Sequence, residues 1–409
     1  MANQINIVDA MCGIGKTSAA INHINSAPDD QHFLYITPYL DEVERIIKAC
    51  PKRHFVQPLD YGSKLKNIKK LFNEGKNIVS THALFNMFDD EVIDIVSLQN
   101  YTLIMDEVAD VVEPLDISTY DLNTILSEYT EIVDDHLLKW TEPDYKGDFE
   151  KYKRLINLNA VYYYSNTALL WIFPVKTFEA FDKIFILTYM FDAQVQRCYY
   201  DFYNLEYNYL YVDGNSLDTY HFTAEKIQYQ YPDYKSLIHI LDNEKMNKIG
   251  DREFSLSKSW YQRNKDNKCI TEIQVSLSNY FRRIAKTPSK QNLWTTFKAY
   301  KDVLAGGGYA KGFLSCNARA TNAYRQCTSL AYVINRYLNS IVKNFFLQQN
   351  IRVEEDNYAL SELIQWTWRS AIRDGKEINL YIPSKRMREL LTIWLDNMAA
   401  QSSQNEDIK

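Results

Sequence analysis

The segment Ala10-Met-Cys-Gly-Ile-Gly-Lys-Thr17 carries the residue types that a phosphate-binding loop requires. It fits the P-loop pattern, with alanine in place of the first glycine. Gly13 and Gly15 let the backbone turn so that its N–H groups point at phosphate oxygens, at the positive end of the helix that follows. We expect Lys16 to reach the β and γ phosphates and Thr17 to ligate Mg²⁺. The predicted cofactors are ATP and Mg²⁺, and the predicted nucleotide-binding residues are Gly13, Ile14, Gly15, Lys16, Thr17 and Ser18.

Two adjacent carboxylates close an apolar run further along the chain, Tyr101-Thr-Leu-Ile-Met-Asp106-Glu107. Taken alone, an acidic pair after a strand is often a solvated turn or a helix N-cap. After a P-loop it is typical of a Walker B site, in which Asp106 holds Mg²⁺ through its water shell. Glu107 is then placed to polarise the water that attacks the γ-phosphate. The two motifs together predict an ATP hydrolase.

A third group of polar residues lies far downstream, where Gln365, Arg369 and Arg373 are spaced i, i+4 and i+8. On one continuous helix this spacing places them on one face, where both arginines can point at one anion. Arginine suits the charge that spreads over the γ-phosphoryl oxygens, whereas the alternative is an ordinary surface helix. The predicted catalytic residues are Lys16, Glu107, Gln365, Arg369 and Arg373.

These residues need a scaffold, and the first half of the chain alternates short apolar runs with amphipathic stretches. This is the pattern of a parallel sheet flanked by helices, which is an α/β fold. The expected strands are Ile5 to Asp9, Phe33 to Thr37, Ile78 to Thr81, Tyr101 to Asp106 and Lys183 to Thr188. The expected helices include Lys16 to Asn25 and Leu40 to Ala49. Residues 122–165 break the rhythm with a charged helical pattern, so we expect a helical insertion there.

Polar residues around Asp213 and Gly214 interrupt the apolar pattern and predict a domain boundary. The first domain is expected to span residues 1–213 and the second 214–398, followed by a flexible tail over 399–409. In the second half, apolar runs recur at Ser236 to Leu241, Phe254 to Leu256, Gly312 to Cys316 and Glu377 to Ile382. The last expected elements are a helix through Leu360 to Asp374, a strand through Tyr381 and a helix from Ser384 to Met398.

The composition of the 409 residues, 46% hydrophobic and 24% charged, is that of a globular protein. It has no apolar run long enough for a membrane span and no secretory signal, so we expect a cytoplasmic protein, in the host cytoplasm if a phage encodes it. The six cysteines are scattered, which argues against disulfides and a zinc site. A net charge of −6 argues against bulk coating of nucleic acid but leaves room for a local basic groove. Three basic clusters could form such a groove or be solvated faces: Lys64 to Lys70, Arg282 to Lys290, and Lys385 to Arg388.

The order of these pieces resembles that of the superfamily 2 helicases and translocases, and small phage-type and plasmid-type members are closest. The resemblance spans most of the chain. In the first half of the chain, motif I resembles residues 10–18, motif Ia resembles Phe33 to Tyr39 with Thr37-Pro38, and the next DNA-contacting loop resembles Ser80-Thr81-His82. Motif II resembles Asp106-Glu107-Val108-Ala109, and Leu187 to Met190 occupies the place of motif III. In the second half, motif V resembles Asn317 to Asn322 and motif VI resembles Gln365 to Arg373.

This resemblance implies two RecA-like domains with ATP in the cleft between them, and loops that hold nucleic acid. The residues implied to contact nucleic acid are Thr37, Pro38, Thr81, His82, Arg319, Thr321 and Asn322. The chain departs from the family pattern in three places: Ala10 replaces the first glycine, Thr188-Tyr189-Met190 replaces Ser-Ala-Thr, and Arg369 and Arg373 lie one residue further apart than usual.

The leading hypothesis is an ATP-dependent helicase or translocase acting on single-stranded or forked DNA, as in phage DNA replication. The alternative is an ATP-dependent switch or loader that remodels a protein partner without unwinding, which the acidic net charge recommends. A third hypothesis is an enzyme that acts on RNA.

Overall fold

A computed structural model describes residues 4–38, 40–60, 63–133, 136–165, 167–317 and 323–406. The chain divides into two structural units. The first unit consists of the chain up to Ile227 together with Asn339–Glu354. The second consists of Gln228–Leu338 and the chain from Glu355 onward. The segment Asn339–Glu354 therefore returns to the first unit between the two parts of the second.

The first unit contains alternating strands and helices. Its strands are Gln4–Asp9 (β1), His32–Thr37 (β2), Ile78–Thr81 (β3), Tyr101–Asp106 (β4), Val112–Pro114 (β5), Thr130–Ile132 (β6), Leu138–Trp140 (β7), Val161–Tyr164 (β8), Ala168–Ile172 (β9), Lys183–Thr188 (β10), Tyr207–Asp213 (β11) and His221–Thr223 (β12). Its first nine helices are Lys16–Ser26 (α1), Leu40–Ala49 (α2), Lys64–Asn73 (α3), His82–Phe85 (α4), Asp90–Ser97 (α5), Thr119–Thr124 (α6), Glu150–Asn157 (α7), Lys176–Glu179 (α8) and Val195–Phe202 (α9).

Seven of these strands form one sheet in the order β12-β11-β1-β10-β4-β2-β3. All neighbours are parallel except β12, which runs antiparallel to β11. The central strands are apolar along their length because both faces of the sheet are covered. Val8, Phe33 and Ile104 of three strands share one core with Ala20 of α1 and Val43 of α2. The α/β class with parallel sheets flanked by helices is therefore confirmed.

The predicted helical insertion over residues 122–165 contains strands as well as helices. It contains the hairpin β6-β7, helix α7 and strand β8, and β8 belongs to an antiparallel sheet in the order β5-β9-β8. Its own core includes Leu122, Leu138, Trp140 and Ile156. The charged helical pattern misled the prediction because Tyr129, Trp140 and Tyr145 pack against each other from a helical turn, a strand and a loop rather than along one long helix.

The second unit contains a smaller parallel sheet. Its strands are Ile238–Ile240 (β13), Asn292–Thr295 (β14), Ser329–Tyr332 (β15) and Ile378–Tyr381 (β16), in the order β13-β16-β15-β14. The remaining α-helices of the described residues are Tyr234–Leu237 (α10), Glu244–Asn247 (α11), Lys258–Asn264 (α12), Lys268–Asn279 (α13), Lys301–Leu304 (α14), Ser340–Gln348 (α15), Glu355–Thr367 (α16) and Lys385–Glu406 (α17). Of these, α15 belongs to the first unit.

Several expected elements of the second half differ from the structure. Phe254 to Leu256 lies in turns, and Gly312 to Cys316 contributes only an isolated bridge at Phe313 instead of a strand. Residues 399–406, expected in the flexible tail, continue helix α17. The division between the units falls after Ile227 rather than at residue 213, because β12 pairs with β11 and so extends the first sheet.

Candidate nucleotide-binding site

The carboxyl ends of the parallel strands in the first unit meet at one edge of the seven-stranded sheet. Asp9 at the end of β1 is in register with Thr188 at the end of β10. Leu187 of β10 is in turn paired with Asp106 at the end of β4. The loops that follow these strands are therefore neighbours, although they lie far apart in the sequence. Ligands of open α/β sheets bind at this edge.

The loop between β1 and α1 has the backbone that the P-loop prediction requires. Gly13 and Gly15 both have φ of 96°, in the left-handed region that glycine adopts without steric cost. Helix α1 begins at Lys16, so its first N–H groups face the loop without intrahelical partners. The Lys16 ammonium donates to the carbonyl oxygens of Ala10 and, at 3.2 Å, Met11. This arrangement fits a phosphate group, which would accept from the backbone N–H groups and from the ammonium.

The carboxyl of Asp106 has a pKa above the usual value for an aspartate. The pKa of its carboxyl is raised from 3.8 to about 7, first by burial and then by the neighbouring carboxylates of Glu107 and Glu42. The positive charges of Lys16 and Arg45 act in the opposite direction. The Lys16 ammonium is thus close enough to Asp106 to influence its ionisation. A carboxylate that is poorly stabilised by its surroundings gains from a nearby cation.

The residues present fit a magnesium ion that takes most of its ligands from water and phosphate. Within the described ranges of the chain, no group of three or more His, Cys, Asp or Glu side chains could hold a metal ion. Mg²⁺ commonly binds to proteins through one or two carboxylates together with substrate phosphates and water. Asp106 and the Thr17 hydroxyl are the protein groups that would hold it.

Glu107 has a strained backbone. Its φ of 76° lies in the left-handed region, which is uncommon for a residue with a side chain. Its N–H donates to the Leu187 carbonyl oxygen at 2.9 Å, so the strained turn is tied to β10. Strain of this kind persists where the surroundings enforce it and is concentrated at functional sites.

Asp9 is not among the predicted site residues, yet it connects two loops of the site. Its carboxylate accepts the N–H groups of Met190 at 2.8 Å and Phe191 at 2.9 Å. Burial raises the pKa of Asp9, and these two hydrogen bonds and the Lys16 charge oppose that change. The start of the P-loop is thereby fixed to the segment after β10, which occupies the place of motif III. An acidic residue that ends an apolar strand just before a P-loop is the signal that could have indicated this.

Two further side chains hold the segment around the acidic pair. The Gln196 side chain accepts the Ala109 N–H at 2.8 Å and donates to the Tyr200 hydroxyl at 2.8 Å. On the other side, His82 Nε2 donates to the Asp106 carbonyl oxygen at 3.2 Å. Gln196 could not be found from the sequence because its role depends on helix α9 lying beside the loop after β4.

The predicted nucleic-acid contacts have different environments. Thr37 is fully buried, so its side chain does not face solvent. Pro38, Thr81 and His82 are half-buried at the carboxyl edge. The remaining predicted contacts lie outside the described residues: Arg319, Thr321 and Asn322.

The predicted single helix face through Gln365, Arg369 and Arg373 is wrong. Helix α16 ends at Thr367, and Ser370 has an extended backbone. Arg373 lies in a separate 3₁₀ turn, Ala371–Asp374. The Ala371 N–H donates to the Cys327 carbonyl oxygen at 3.0 Å, a contact with a distant segment that breaks the helix. Gln365 and Arg369 are buried and Arg373 is half-buried, all within the second unit.

Two of the three basic clusters are partly used inside the fold. Lys69 donates to the carboxylate of Asp89 at 2.7 Å and also pairs with Glu91. Arg386 and Arg388 donate to backbone carbonyl oxygens of the second unit. These side chains therefore stabilise local structure rather than forming an open basic groove.

The comparison with known proteins identifies the family. The chain is 40% identical over 410 residues to the SPbeta prophage-derived uncharacterized protein YonV of Bacillus subtilis (strain 168), covering 96% of this chain and 99% of that one. The chain belongs to the YonV family. The model of the YonV middle domain matches residues 112–171, the segment from β5 to β9. The model of the YonV C-terminal Rossmann-like domain matches residues 232–395, most of the second unit.

Two solved structures align with this YonV-family chain at 11% identity. The alignment with S. tokodaii Xpd4 covers 96% of this chain and 94% of Xpd4, with a TM-score of 0.48. The alignment with the DUF1998 helicase MrfA, whose structure was solved bound to DNA and AMPPNP, covers 97% of this chain and 48% of MrfA, with a TM-score of 0.37. Both scores are low, so the family assignment depends on the sequence match. No helix in the described part of the chain is long and apolar enough to cross a membrane.

Proposed function

We propose that the first unit binds ATP with Mg²⁺ at the carboxyl edge of its sheet and hydrolyses the γ-phosphate. One observation supports this most strongly. The glycine loop after β1 and the acidic end of β4 lie at one edge of the sheet with only β10 between their strands, and the Lys16 charge acts on the Asp106 carboxyl. A cation, a glycine cradle and an acidic pair at one sheet edge are the groups that phosphoryl transfer requires.

Each residue has a distinct role in this proposal. Backbone N–H groups from Gly13 to Thr17 bind the phosphates, and Lys16 neutralises charge on the β and γ groups. Bound Mg²⁺, held by Thr17 and Asp106, would supply further positive charge to the phosphate oxygens. Glu107 accepts the proton of the attacking water, and the hydrogen bond from its N–H to the Leu187 carbonyl oxygen ties its backbone to β10.

We propose further that hydrolysis drives movement on nucleic acid, with DNA as the substrate. The order of the helicase-like segments along the sequence supports this, as does a second unit with a parallel sheet. The test is ATP hydrolysis with and without single-stranded DNA. A translocase is stimulated several-fold by DNA, and parallel assays with RNA of matched length identify an RNA-directed enzyme.

A switch or loader that acts on a protein partner is the alternative, and two observations favour it. The net charge is −6, and the arginines of one basic cluster are bonded within the fold. In that case hydrolysis is indifferent to both nucleic acids. Stimulation by either nucleic acid contradicts the switch hypothesis.

Arg369 is proposed to supply charge to the γ-phosphate in the transition state. Arg369→Ala should then spare ATP affinity and lower kcat by roughly 10³-fold or more, as for other arginine fingers. A merely structural role would instead lower the melting temperature, with activity following the folded fraction. Measuring kcat, ATP affinity and melting temperature on one preparation separates the two. A well-folded Arg369→Ala variant with unchanged kcat contradicts the proposed role.

A further inference from the structure

The order of the strands indicates on which side of the P-loop a nucleobase would lie. β10 and β4, with Asp106 and Glu107, lie on one side of β1, whereas β11 and β12 lie on the other. If the γ-phosphate of a bound nucleotide points toward the acidic pair, the opposite end of the molecule points away from it. The nucleoside is therefore expected on the side of β11 and β12.

A fixed loop occupies that side. It connects β11 to β12 over residues 214–220, and the Asn22 side chain on α1 donates to the carbonyl oxygens of Leu217 at 2.8 Å and Tyr220 at 2.9 Å. Within the loop, the Thr219 hydroxyl accepts the N–H groups of Asn215 at 3.1 Å and Ser216 at 3.0 Å. The loop is thus braced internally and attached to the helix that the P-loop opens.

The ring of Tyr220 lies directly against the P-loop. A Cβ atom placed on Gly15 would come within 2.8 Å of three Tyr220 ring carbons, so any larger residue there would force the ring to move. Tyr220 is half-buried and packs on the core that contains Val8 and Val212. In the described part of the chain, no other aromatic ring stacks on it. An aromatic side chain is therefore held at the P-loop, on the side opposite the acidic pair.

We propose that Tyr220 is the stacking platform for the nucleobase of the bound nucleotide, an inference that rests on the proposed ATP site. Bases stack on aromatic side chains through their π-faces, and every base has such a face. Recognition by stacking is consequently tolerant of base identity, so GTP should bind as well as ATP. Tyr220 fixes the nucleoside end, while the P-loop fixes the phosphates.

The experiment compares Mg·ATP with Mg·tripolyphosphate, which has the phosphates but no base. Tyr220→Ala should weaken ATP binding about tenfold or more and leave tripolyphosphate binding unchanged. Tyr220→Phe keeps the ring and should bind ATP like the wild type. Tyr211→Ala is the matched control, because Tyr211 is a half-buried tyrosine on the opposite face of β11 from Val212. Melting temperatures establish that all variants are folded.

Three outcomes overturn the inference. Tyr220→Ala that binds ATP like the wild type shows that the ring does not contact the base. Equal weakening of ATP and tripolyphosphate shows that Tyr220 only shapes the P-loop. Wild-type protein that binds neither ligand refutes the ATP site itself, and the inference with it. The tripolyphosphate measurement therefore separates failure of the base platform from failure of the proposed function.

Discussion

The two parallel sheets of this protein end in edges of opposite character. At the carboxyl edge of the first sheet, Asp106 has a pKa raised to about 7 and Glu107 has a left-handed backbone. At the corresponding edge of the second sheet, Arg386 donates to the Asn335 side chain at 3.0 Å, to the Arg336 carbonyl oxygen at 2.7 Å and to Asp356. The negative charge of Asp106 therefore destabilises the fold at the first edge, whereas the paired charge of Arg386 stabilises it at the second.

The difference shows why one sheet architecture does not imply one activity. A folded protein gains stability when every charged group is paired and every residue has a relaxed backbone. Departures from that rule are expected where a ligand will complete the arrangement. At the first edge Asp106 and Glu107 depart from that rule, whereas at the second edge the Arg386 charge is paired, which favours the first edge as the place of chemistry.

Removing one cation from each edge should separate the roles of the two edges most strongly. Lys16→Ala should lower ATP hydrolysis by roughly 10²-fold or more, because a charge that meets the phosphates is lost, and should barely change stability. Arg386→Ala should lower the free energy of unfolding by about 1–3 kcal/mol and leave hydrolysis by the folded protein unchanged. Phosphate release and urea unfolding of both variants measure this. The reverse pattern contradicts the contrast between the edges.

A smaller effect separates binding from turnover at the first edge. Glu107→Gln keeps the shape of the side chain but cannot accept the proton of the attacking water, so turnover should fall by roughly 10²- to 10⁴-fold while ATP still binds. Single-turnover hydrolysis and equilibrium binding of ATP provide the two quantities. Normal turnover in this variant removes Glu107 from the catalytic role.

The smallest effect concerns stability and its pH dependence. The pKa of Asp106 is raised from 3.8 to about 7 in the folded protein, so the folded state binds a proton more tightly than the unfolded state. Ionisation of Asp106 therefore lowers the free energy of unfolding of the nucleotide-free protein increasingly from about pH 4 to about pH 7. Asp106→Asn should raise Tm by roughly 2–6 °C at pH 8 and by less at pH 5.

The exposed Asp110 provides the matched control for this stability prediction. Asp110→Asn removes a carboxylate from the same segment without removing a buried charge, so its Tm should follow that of the wild type at both pH values. Thermal unfolding in the absence of nucleotide measures both variants. If the Asp106→Asn protein is less stable than the wild type at pH 8, the ionised Asp106 carboxylate does not destabilise the fold, and the prediction is wrong.

The elements that position the site were predictable because their signals are local. The strand ending in Asp106 is an unbroken apolar run covered on both faces, and its predicted bounds agree with the structure. The end of helix α16 depended instead on the distant Cys327 carbonyl oxygen. Gln196 and Tyr220 reach the site only through tertiary packing, so no spacing rule in the sequence could indicate them.

The most direct test of the ATP site is a calorimetric titration of the full chain with a non-hydrolysable ATP analogue and Mg²⁺. We expect one binding site that is lost in Lys16→Ala and retained in Arg386→Ala. Wild-type protein that gives no binding, or Lys16→Ala protein that binds as tightly as the wild type, would contradict it.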